Sequence, residues 1–175
     1  MGVQNKITFI AVIILVAIEQ IIKVIINNNF LSKKFSIIPP FLYFEPMFNK
    51  DYSWINSMLQ LGIGKWVHII IVSAMTILIF LFYLYISKRF GSVKLIDTMF
   101  AFLLSGAICS LIDKIFWNGS LDYILLKGFF TFDLKDVYIN VFIVLVILSI
   151  ILNNKVIKQI DDRVFIDFIK YVLRR

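Results

Sequence analysis

The sequence predicts an all-α membrane protein, a four-transmembrane-helix bundle that carries a small extracytoplasmic β-rich cradle and an interfacial helix. The mean hydropathy is +0.92 and only 17% of the residues are charged, which separates the chain from ordinary soluble domains. Four apolar segments approach the length of about 20 residues that a helix needs to cross the hydrocarbon core. Because the chain has 175 residues, these segments are expected to form one compact bundle.

The four predicted transmembrane segments alternate with more polar connections. The first follows Lys6 and resembles the start of a secretory signal peptide, but no small-residue cleavage site follows it, so we interpret it as an uncleaved span. The third and fourth are short, which suits helices that end in a polar pocket at one membrane surface. The segments cover approximately residues 7–26, 66–86, 95–112 and 137–152.

Basic residues set the expected orientation of the bundle. Lys88, Arg89 and Lys94 lie in the connection between the second and third spans, and six more basic residues follow the fourth span. Since cytoplasmic loops are rich in Lys and Arg, both termini are expected in the cytoplasm, with the outer loops at about 27–65 and 113–136 on the other side. Four lysines in the first of these loops weaken this bias.

The first outer loop is expected to contain regular structure. Its three prolines and its alternating aromatic residues favour short extended strands along the membrane surface. Residues 53–61 are expected to form the short interfacial helix, with Trp54 as its anchor at the level of the lipid headgroups.

The chain divides into a membrane domain at 1–153 and a basic amphipathic cytoplasmic tail at 154–175. In the tail, Ile160, Val164 and Phe168 recur at helical spacing with basic residues on the opposite face. This pattern predicts an interfacial helix on the cytoplasmic leaflet.

The composition excludes several kinds of site. A single cysteine, Cys109, excludes an intrachain disulfide, and with His68 as the only histidine a Cys/His zinc cage is excluded as well. No metal and no cofactor are therefore expected. The net charge of +7 is explained by basic residues near the ends of the spans, which mark cytoplasmic loops and attract anionic lipid headgroups. No nucleic acid partner is therefore expected.

Acidic residues are concentrated between the last two spans, where Asp113, Asp122, Asp133 and Asp136 occur. Carboxylates beside hydrocarbon are costly to desolvate, so their concentration requires an explanation. Two carboxyl groups held close together can share one proton, which allows the pair to activate water against an amide and to protonate the leaving nitrogen. Asp122 and Asp136 are the candidate pair, although an aspartate at the start of a helix is more often a cap.

Five short stretches carry a resemblance to a known family. In chain order they are "EQIIK", "FNKDYSW", "SGAICSLIDK", "GSLDYI" and "FDLKDVYIN". Their order and spacing across four spans resemble the lipoprotein signal peptidase (signal peptidase II) family. The resemblance implies a bacterial, multi-pass aspartyl protease of the inner (cytoplasmic) membrane, with its active site at the extracytoplasmic face. It also implies a monomer in contact with membrane lipid that cleaves diacylglyceryl-modified prolipoproteins just before the lipidated cysteine.

The resemblance also assigns roles to individual residues. The aspartate of the family's Gly-x-Val-x-Asp-Phe-like motif falls on Asp122 in "GSLDYI", and that of its Phe-Asn-x-Ala-Asp motif falls on Asp136 in "FDLKD". The resemblance implies that these two form the catalytic pair. The supporting and substrate-binding positions fall on Glu19, Gln20, Lys23, Asn49, Ser110, Asp113, Lys114 and Asp133.

Four of these positions depart from the family motifs. Glutamate replaces aspartate at Glu19, serine replaces asparagine at Ser110, lysine replaces arginine at Lys114, and aspartate replaces asparagine at Asp133. Lysine lacks the forked guanidinium of arginine, so a bidentate support becomes a point charge. The departures leave open a divergent, non-catalytic or specialised paralogue that binds lipidated peptides or a membrane partner. A small transporter is a third interpretation, which the lack of an internal repeat disfavours.

Overall fold

The computed structural model of the chain describes residues 3–117 and 119–173, without the side chains of residues 3, 4, 54 and 55. The side chain of the predicted anchor Trp54 and the basic residues Arg174 and Arg175 therefore lie outside the described part. In chain order the elements are α1 (Val3–Asn29), β1 (Phe35–Ile38), β2 (Leu42–Asn49), α2 (Trp54–Leu59), α3 (Lys65–Phe90), α4 (Lys94–Phe116), β3 (Ser120–Leu126), β4 (Phe130–Phe132), α5 (Leu134–Ile151), α6 (Lys155–Lys158) and α7 (Asp162–Leu173).

Four helices in the described part, α1, α3, α4 and α5, are long and apolar enough to cross a membrane. This agrees with the number of spans expected from the sequence. Helix α4 is the central one, because 56% of its apolar stretch is buried whereas the other three bury 11–22% of theirs. The remaining three helices pack around α4 and turn apolar side chains such as Ile13, Ile70 and Ile147 outward.

The predicted limits of the third and fourth spans were wrong. Helix α4 continues to Phe116 and α5 already begins at Leu134, so the outer loop expected at 113–136 is limited to 117–133. The prediction ended each span at its last apolar residue, whereas both helices continue through charged residues that face the protein interior. Helix α5 begins where it does because Asp133 and Asp136 form a reciprocal capping box at its first turn.

A four-stranded antiparallel sheet, with strand order β1-β2-β3-β4, joins the connection between α1 and α3 to the connection between α4 and α5. The central pairing of β2 with β3 places Met47 opposite Asp122 and Asn49 opposite Ser120. At the start of β3, Gly119 has a φ of +132° and a Cβ there would lie 2.7 Å from the Asn49 carbonyl oxygen. Only glycine fits both the backbone angle and this close approach, which brings the end of β2 against the start of β3.

Helix α7 packs against the bundle rather than standing apart from it. Val164 is buried in the same apolar cluster as Tyr83 and Ile86 of α3, and the ring of Phe165 stacks on Phe82 at 5.1 Å. On the other flank of α7, apolar side chains remain exposed, among them that of Leu173. Its predicted position at the cytoplasmic membrane surface stays a prediction.

The contact between α4 and α5 depends on Gly106. A Cβ at this position would lie 2.6 Å from Cγ1 of Ile139 and 3.2 Å from the Lys135 carbonyl oxygen. Gly106 therefore permits the close packing of α4 against α5.

Candidate active site

The buried charged residues of the protein gather where α1, α4, α5 and the β-sheet meet. Glu19, Lys23, Asp113 and Asp133 have no exposed surface, although the first two lie on α1, the third on α4 and the fourth in the loop before α5. Charges removed from water this completely must be paired to be tolerated. Two lysine side chains provide that pairing.

Lys23 on α1 is the first of these lysines. Its Nζ lies 2.7 and 2.6 Å from the two carboxylate oxygens of Asp113 and 2.7 Å from Asp133 Oδ2. It also forms an ion pair at 3.2 Å with Glu19, one turn earlier on the same helix. These charged contacts connect helix α1 to α4 and to the start of α5.

Lys135 on α5 is the second, and the sequence analysis missed it. Its Nζ donates to Ser120 Oγ at 2.6 Å and to Asp133 Oδ2, and it lies 3.1 Å from Asp113 Oδ2 and 3.4 Å from Asp122 Oδ1. The available signal was "FDLKD" itself, because the Phe-Asn-x-Ala-Asp motif to which it was compared has alanine where this chain has Lys135. A lysine beside a candidate catalytic aspartate was the departure with the largest chemical consequence.

The candidate catalytic pair lies at the edge of this network. One carboxylate oxygen from each of Asp122, Asp133 and Asp136 lies within 4.8 Å of the other two. Ser120 Oγ lies 2.7 Å from Asp122 Oδ1, and Asp136 Oδ2 accepts from the Asp133 backbone N–H at 3.2 Å. Asp122 and Asp136, separated by 14 positions in the chain, are thus held close enough for one water molecule to contact both and for the charge of one to oppose ionisation of the other.

Burial and charge act in opposite directions on the two carboxyl groups that lie outside the spans. Desolvation raises the pKa of Asp122, against the lowering effect of Lys135. Burial would also raise the pKa of Asp133, but the ammonium groups of Lys135 and Lys23 hold it below its usual value. The network therefore favours an ionised Asp133 as a structural charge and leaves Asp122 able to exchange a proton.

The pair opens into a cavity of about 420 Å³, the described lining of which is mainly polar. The cavity is walled by α4, α5, the sheet and the segment after β2. Its lining residues are Asn49, Tyr52, Ser53, Ser110, Lys114, Ser120, Asp122, Phe130, Thr131, Lys135, Asp136 and Asn140. A water molecule and a polypeptide bond could therefore reach the pair from this side.

The supporting residues expected from the sequence divide into three groups. Asn49, Ser110 and Lys114 line the cavity, and Glu19, Lys23, Asp113 and Asp133 form the charged network beside it. Gln20 belongs to neither group, since its Oε1 accepts from Trp117 Nε1 at 3.0 Å.

Lys114, expected from the sequence to be a supporting point charge, contacts a hydroxyl group and no carboxylate in the described residues. Its Nζ donates to Ser110 Oγ at 2.8 Å, one turn earlier on α4, and among the described residues no ion pair within 4.0 Å includes it. Its position in the cavity wall makes the ammonium accessible to a bound molecule.

Tyr123 is a further residue that the sequence analysis did not select. Its hydroxyl donates to Glu19 Oε2 at 3.2 Å and accepts from the Leu134 backbone N–H at 3.2 Å. This hydrogen-bonded link holds the first residue of α5 against α1, beside the capping box. Nothing in the sequence distinguishes this tyrosine from the chain's other aromatic residues.

Three neighbouring carboxylates, those of Asp122, Asp133 and Asp136, can in principle hold a cation. Here the ammonium of Lys135 contacts two of them and provides the positive charge that a cation would otherwise bring. We therefore assign no metal to this cluster.

Comparison with known proteins agrees with this architecture. The family model for signal peptidase (SPase) II matches residues 11–152. Lipoprotein signal peptidases from Listeria monocytogenes serotype 4a (strain HCC23) and Listeria innocua serovar 6a are each 27% identical over 158 residues, covering 87% of this chain and 97% of theirs. The protein of that name from Listeria welshimeri is 26% identical over the same shares.

Two solved structures share the fold. Both are described as bacterial membrane enzymes determined by the in meso method, at 2.3 and 1.9 Å resolution. The first superposes with a TM-score of 0.63 at 19% identity, covering 83% of this chain and 88% of the other. The second gives 0.62 at 20% identity, covering 83% and 92%. The family match spans most of the chain, including all four long helices and the acidic cluster, and the chain therefore belongs to the signal peptidase II family.

Proposed function

We propose that this protein is a membrane-embedded aspartic endopeptidase that removes signal peptides from diacylglyceryl-modified prolipoproteins. The observation that carries the proposal is the proximity of Asp122 and Asp136, whose carboxylate oxygens lie within 4.8 Å of each other at the wall of a polar cavity. Membership of the signal peptidase II family supports the same reaction class.

The chemistry requires the pair to share one proton. The ionised carboxylate accepts a proton from a water molecule whose oxygen attacks the scissile carbonyl carbon, while the protonated partner donates to the carbonyl oxygen. Collapse of the tetrahedral intermediate breaks the C–N bond, and the leaving nitrogen receives the proton taken from water. As the carbonyl re-forms, the partner carboxylate takes back a proton from a hydroxyl of the intermediate. This cycle returns the pair to its starting state with one proton between the two carboxyl groups.

An apolar groove beside the cavity suits a lipidated substrate. It has a volume of about 440 Å³, runs between β4 and α5, and shares Phe130, Asp136 and Asn140 with the polar cavity. Apolar side chains such as Phe132 and Val141 form the rest of its wall. An acyl chain in this groove would hold the adjoining peptide bond beside the catalytic pair, so the proposal assigns the groove to the diacylglyceryl group.

The proposed site faces the outside of the cytoplasmic membrane, where the sheet and α2 form a cradle for the substrate. The distribution of basic residues supports this orientation. Reporters at the C-terminus and after Arg89 should be cytoplasmic, and one inserted at Gly128 in the β3–β4 turn should be outside. An external C-terminus would separate the site from the membrane face at which exported prolipoproteins arrive. The protein is proposed to act as a monomer.

A second candidate function is a paralogue that binds lipidated peptides without cleaving them. The observation that favours it is Lys114, which stands at a supporting position of the family motifs but donates to Ser110 Oγ at 2.8 Å and forms no ion pair among the described residues. Binding without turnover would distinguish this function from the peptidase.

The decisive experiment is cleavage of a diacylglyceryl prolipoprotein by the purified protein, read as release of the signal peptide. Asp122→Asn and Asp136→Asn should each abolish turnover, because an amide keeps the size of the side chain but cannot carry the shared proton. Their losses should not add, since a pair that acts as a unit is disabled by one change.

Asp51→Asn is the matched control, because Asp51 is an exposed aspartate that does not line the cavity. This variant should retain wild-type turnover. Cleavage that persists in the Asp122→Asn, Asp136→Asn double variant would refute the proposed catalytic pair. Retained binding of the prolipoprotein by a wild-type protein that does not cleave it would select the second candidate function.

A further inference from the structure

Two departures from the family motif lie side by side in the structure and carry opposite charges. In "FDLKD", Asp133 stands where the motif Phe-Asn-x-Ala-Asp has asparagine, and Lys135 stands where it has alanine. Their side chains form a buried ion pair and hydrogen bond, in which Asp133 has no exposed surface and Lys135 has 8%. A neutral pair has thus been exchanged for a charged pair whose members contact each other.

The lysine of this pair also reaches the candidate catalytic residue. Lys135 Nζ lies 3.4 Å from Asp122 Oδ1 and donates at 2.6 Å to Ser120 Oγ, which itself lies 2.7 Å from the same oxygen. Asp122 is therefore held from two directions, by an ammonium and by a hydroxyl that the ammonium orients.

Asp136, the other member of the catalytic pair, has a different environment. Its carboxylate accepts from the Asp133 backbone N–H at 3.2 Å, and within the described ranges no lysine or arginine lies within 4.0 Å of it. The two carboxyl groups thus differ in whether a cation contacts them.

The remaining charged groups around Lys135 come from every element packed against it. Five carboxyl groups and two other ammonium groups face this region, from α1, α4, β3, the α5 cap and α5 itself. They are Glu19 and Lys23, Asp113 and Lys114, Asp122, Asp133, and Asp136. With five acids against three lysines including Lys135, the region has an excess of negative charge when all groups are ionised.

We infer that Lys135 is a positioning residue that fixes the side chain of Asp122 and assigns it the role of general base, and that Asp133 is its matched counter-charge. This inference rests on the proposed function, since it names the roles within the catalytic pair. An ammonium in contact with one carboxylate favours the ionised form of that carboxylate over its partner's. Asp122 then receives the proton from water, and Asp136 holds the shared proton and donates it.

The counter-charge explains why the two departures belong together. Without Lys135, the negative charge of Asp133 would oppose ionisation of Asp122. Without Asp133, the lysine would keep only Asp113 and Asp122 as carboxylate partners, and its stronger attraction to Asp122 would compete with the proton that this residue must accept. The pair together keeps Asp122 ionised and still basic.

The test measures the ionisation of Asp122 directly and needs no turnover. Infrared difference spectra over a pH titration report the protonated carboxyl band of Asp122, which is identified by its loss in Asp122→Asn. In Lys135→Gln this band should appear at higher pH than in the wild type. In the control Lys127→Gln, which removes a lysine from the distant β3–β4 turn, the band should not move.

The second variant is Asp133→Asn combined with Lys135→Ala, which restores the uncharged motif pair. Its Asp122 band should titrate closer to the wild type than that of Lys135→Gln does, because the two removed charges act on Asp122 in opposite directions. This variant keeps an asparagine cap on α5. If Lys135→Gln does not fold, the titration of Asp122 can still be measured in this double variant. An unmoved band in Lys135→Gln, or a double variant shifted in the same direction and as far as the single one, would overturn the inference.

Activity gives an independent reading that separates this inference from the proposed function. In Lys135→Gln, kcat should fall about tenfold at neutral pH, less than the roughly hundredfold or more that a general base contributes, because Asp122 itself remains. The acidic limb of the kcat/KM profile should move to higher pH. A loss of activity with an unchanged profile would indicate a merely structural lysine and refute the inference. A wild-type protein that cleaves no prolipoprotein but shows the infrared shift would refute the proposed function and leave Lys135 as the residue that fixes the charge of Asp122.

Discussion

The substitution Gly106→Ala tests whether the spacing of α4 and α5 positions the site. The new methyl carbon would lie 2.6 Å from Ile139 Cγ1 and 3.2 Å from the Lys135 carbonyl oxygen. Carbon atoms are in optimal contact at about 3.5–4.0 Å, so the Ile139 side chain must retreat by roughly 1 Å. The Lys135 carbonyl belongs to the backbone, so relief of the second contact requires α5 itself to move by a few tenths of an ångström.

The two parts of this movement have different consequences. Overpacking costs about 1–3 kcal/mol, and the better helix propensity of alanine returns about 1 kcal/mol, which leaves a net loss of about 0–2 kcal/mol. Such a loss lowers Tm by up to about 8 °C for a chain of this size. The displaced first turn carries both Lys135 and Asp136. Because a 1 Å misplacement can cost about a hundredfold in rate, we expect kcat to fall about tenfold.

The assay compares prolipoprotein cleavage with thermal unfolding in the same detergent. Gly64→Ala is the control, since a Cβ at Gly64 meets nothing within 4 Å, and its kcat should remain that of the wild type. Ile139→Ala added to Gly106→Ala removes the 2.6 Å contact but not the one to the backbone, so it should restore Tm more than kcat. Wild-type kcat in Gly106→Ala would refute the argument that this interface positions the catalytic turn.

Three other substitutions test the charged network. Lys114→Arg should keep or raise cleavage and Lys114→Ala should lower it with little change in Tm, because the ammonium lines the cavity without an ion pair in the described residues; equal rates in all three forms would contradict this role. Lys23→Met should lower the free energy of unfolding by about 3–5 kcal/mol, because removal of one partner leaves buried carboxylates uncompensated. Denaturant titration measures this free energy, and a loss clearly below this range would contradict the prediction. The folded-state pKa of Asp133 is depressed below its reference value of 3.8. Its ionisation therefore stabilises the protein above pH 3.8, and this stabilisation is lost as the pH falls through the folded-state pKa. In Asp133→Asn, which keeps the cap, a plot of Tm against pH should lack this decrease.

The sequence predicted the number of spans but not their ends. Apolar runs identify helices that contact lipid, and four such runs were present. They do not show where a helix continues through polar residues that face other helices, which is what α4 does at Asp113 and α5 does at Asp136. The error arose because hydropathy measures the average of a helix and not the side that faces the protein.

The candidate site was predictable in its members and not in its connections. The sequence alone selects Asp122 and Asp136 as the candidate pair. The structure brings them together because β3 pairs with β4, which directly precedes α5. Gln20 was selected with Lys23 from the same motif, yet it contacts Trp117 while Lys23 contacts the carboxylates. Adjacent positions of a helix point about 100° apart, so one motif can serve two different surfaces.

The tail shows a different limit of sequence reasoning. The helical spacing of Val164 and Phe168 was interpreted as a face for the lipid surface, but these residues pack against α3 and α4. Ile169 and Leu173 lie on another flank and stay exposed. The sequence of a helix that is apolar on two sides does not show which side packs against the protein. The neighbouring helices determine which side is buried.

The departures from the family motifs do not by themselves indicate a decayed site. Replacement of buried ion pairs by apolar residues is often neutral or stabilising, so stability alone gives no reason for five buried or half-buried carboxyl groups to be kept beside three lysines. At Asp133 and Lys135 the substitutions introduce two opposite charges in direct contact, which adds no net charge to the region. A binding protein that only held a lipidated peptide would need neither Asp122 nor a cation to ionise it. The retained pair of carboxylates, together with a lysine in contact with only one of them, therefore supports a site in which the two acids have different catalytic roles.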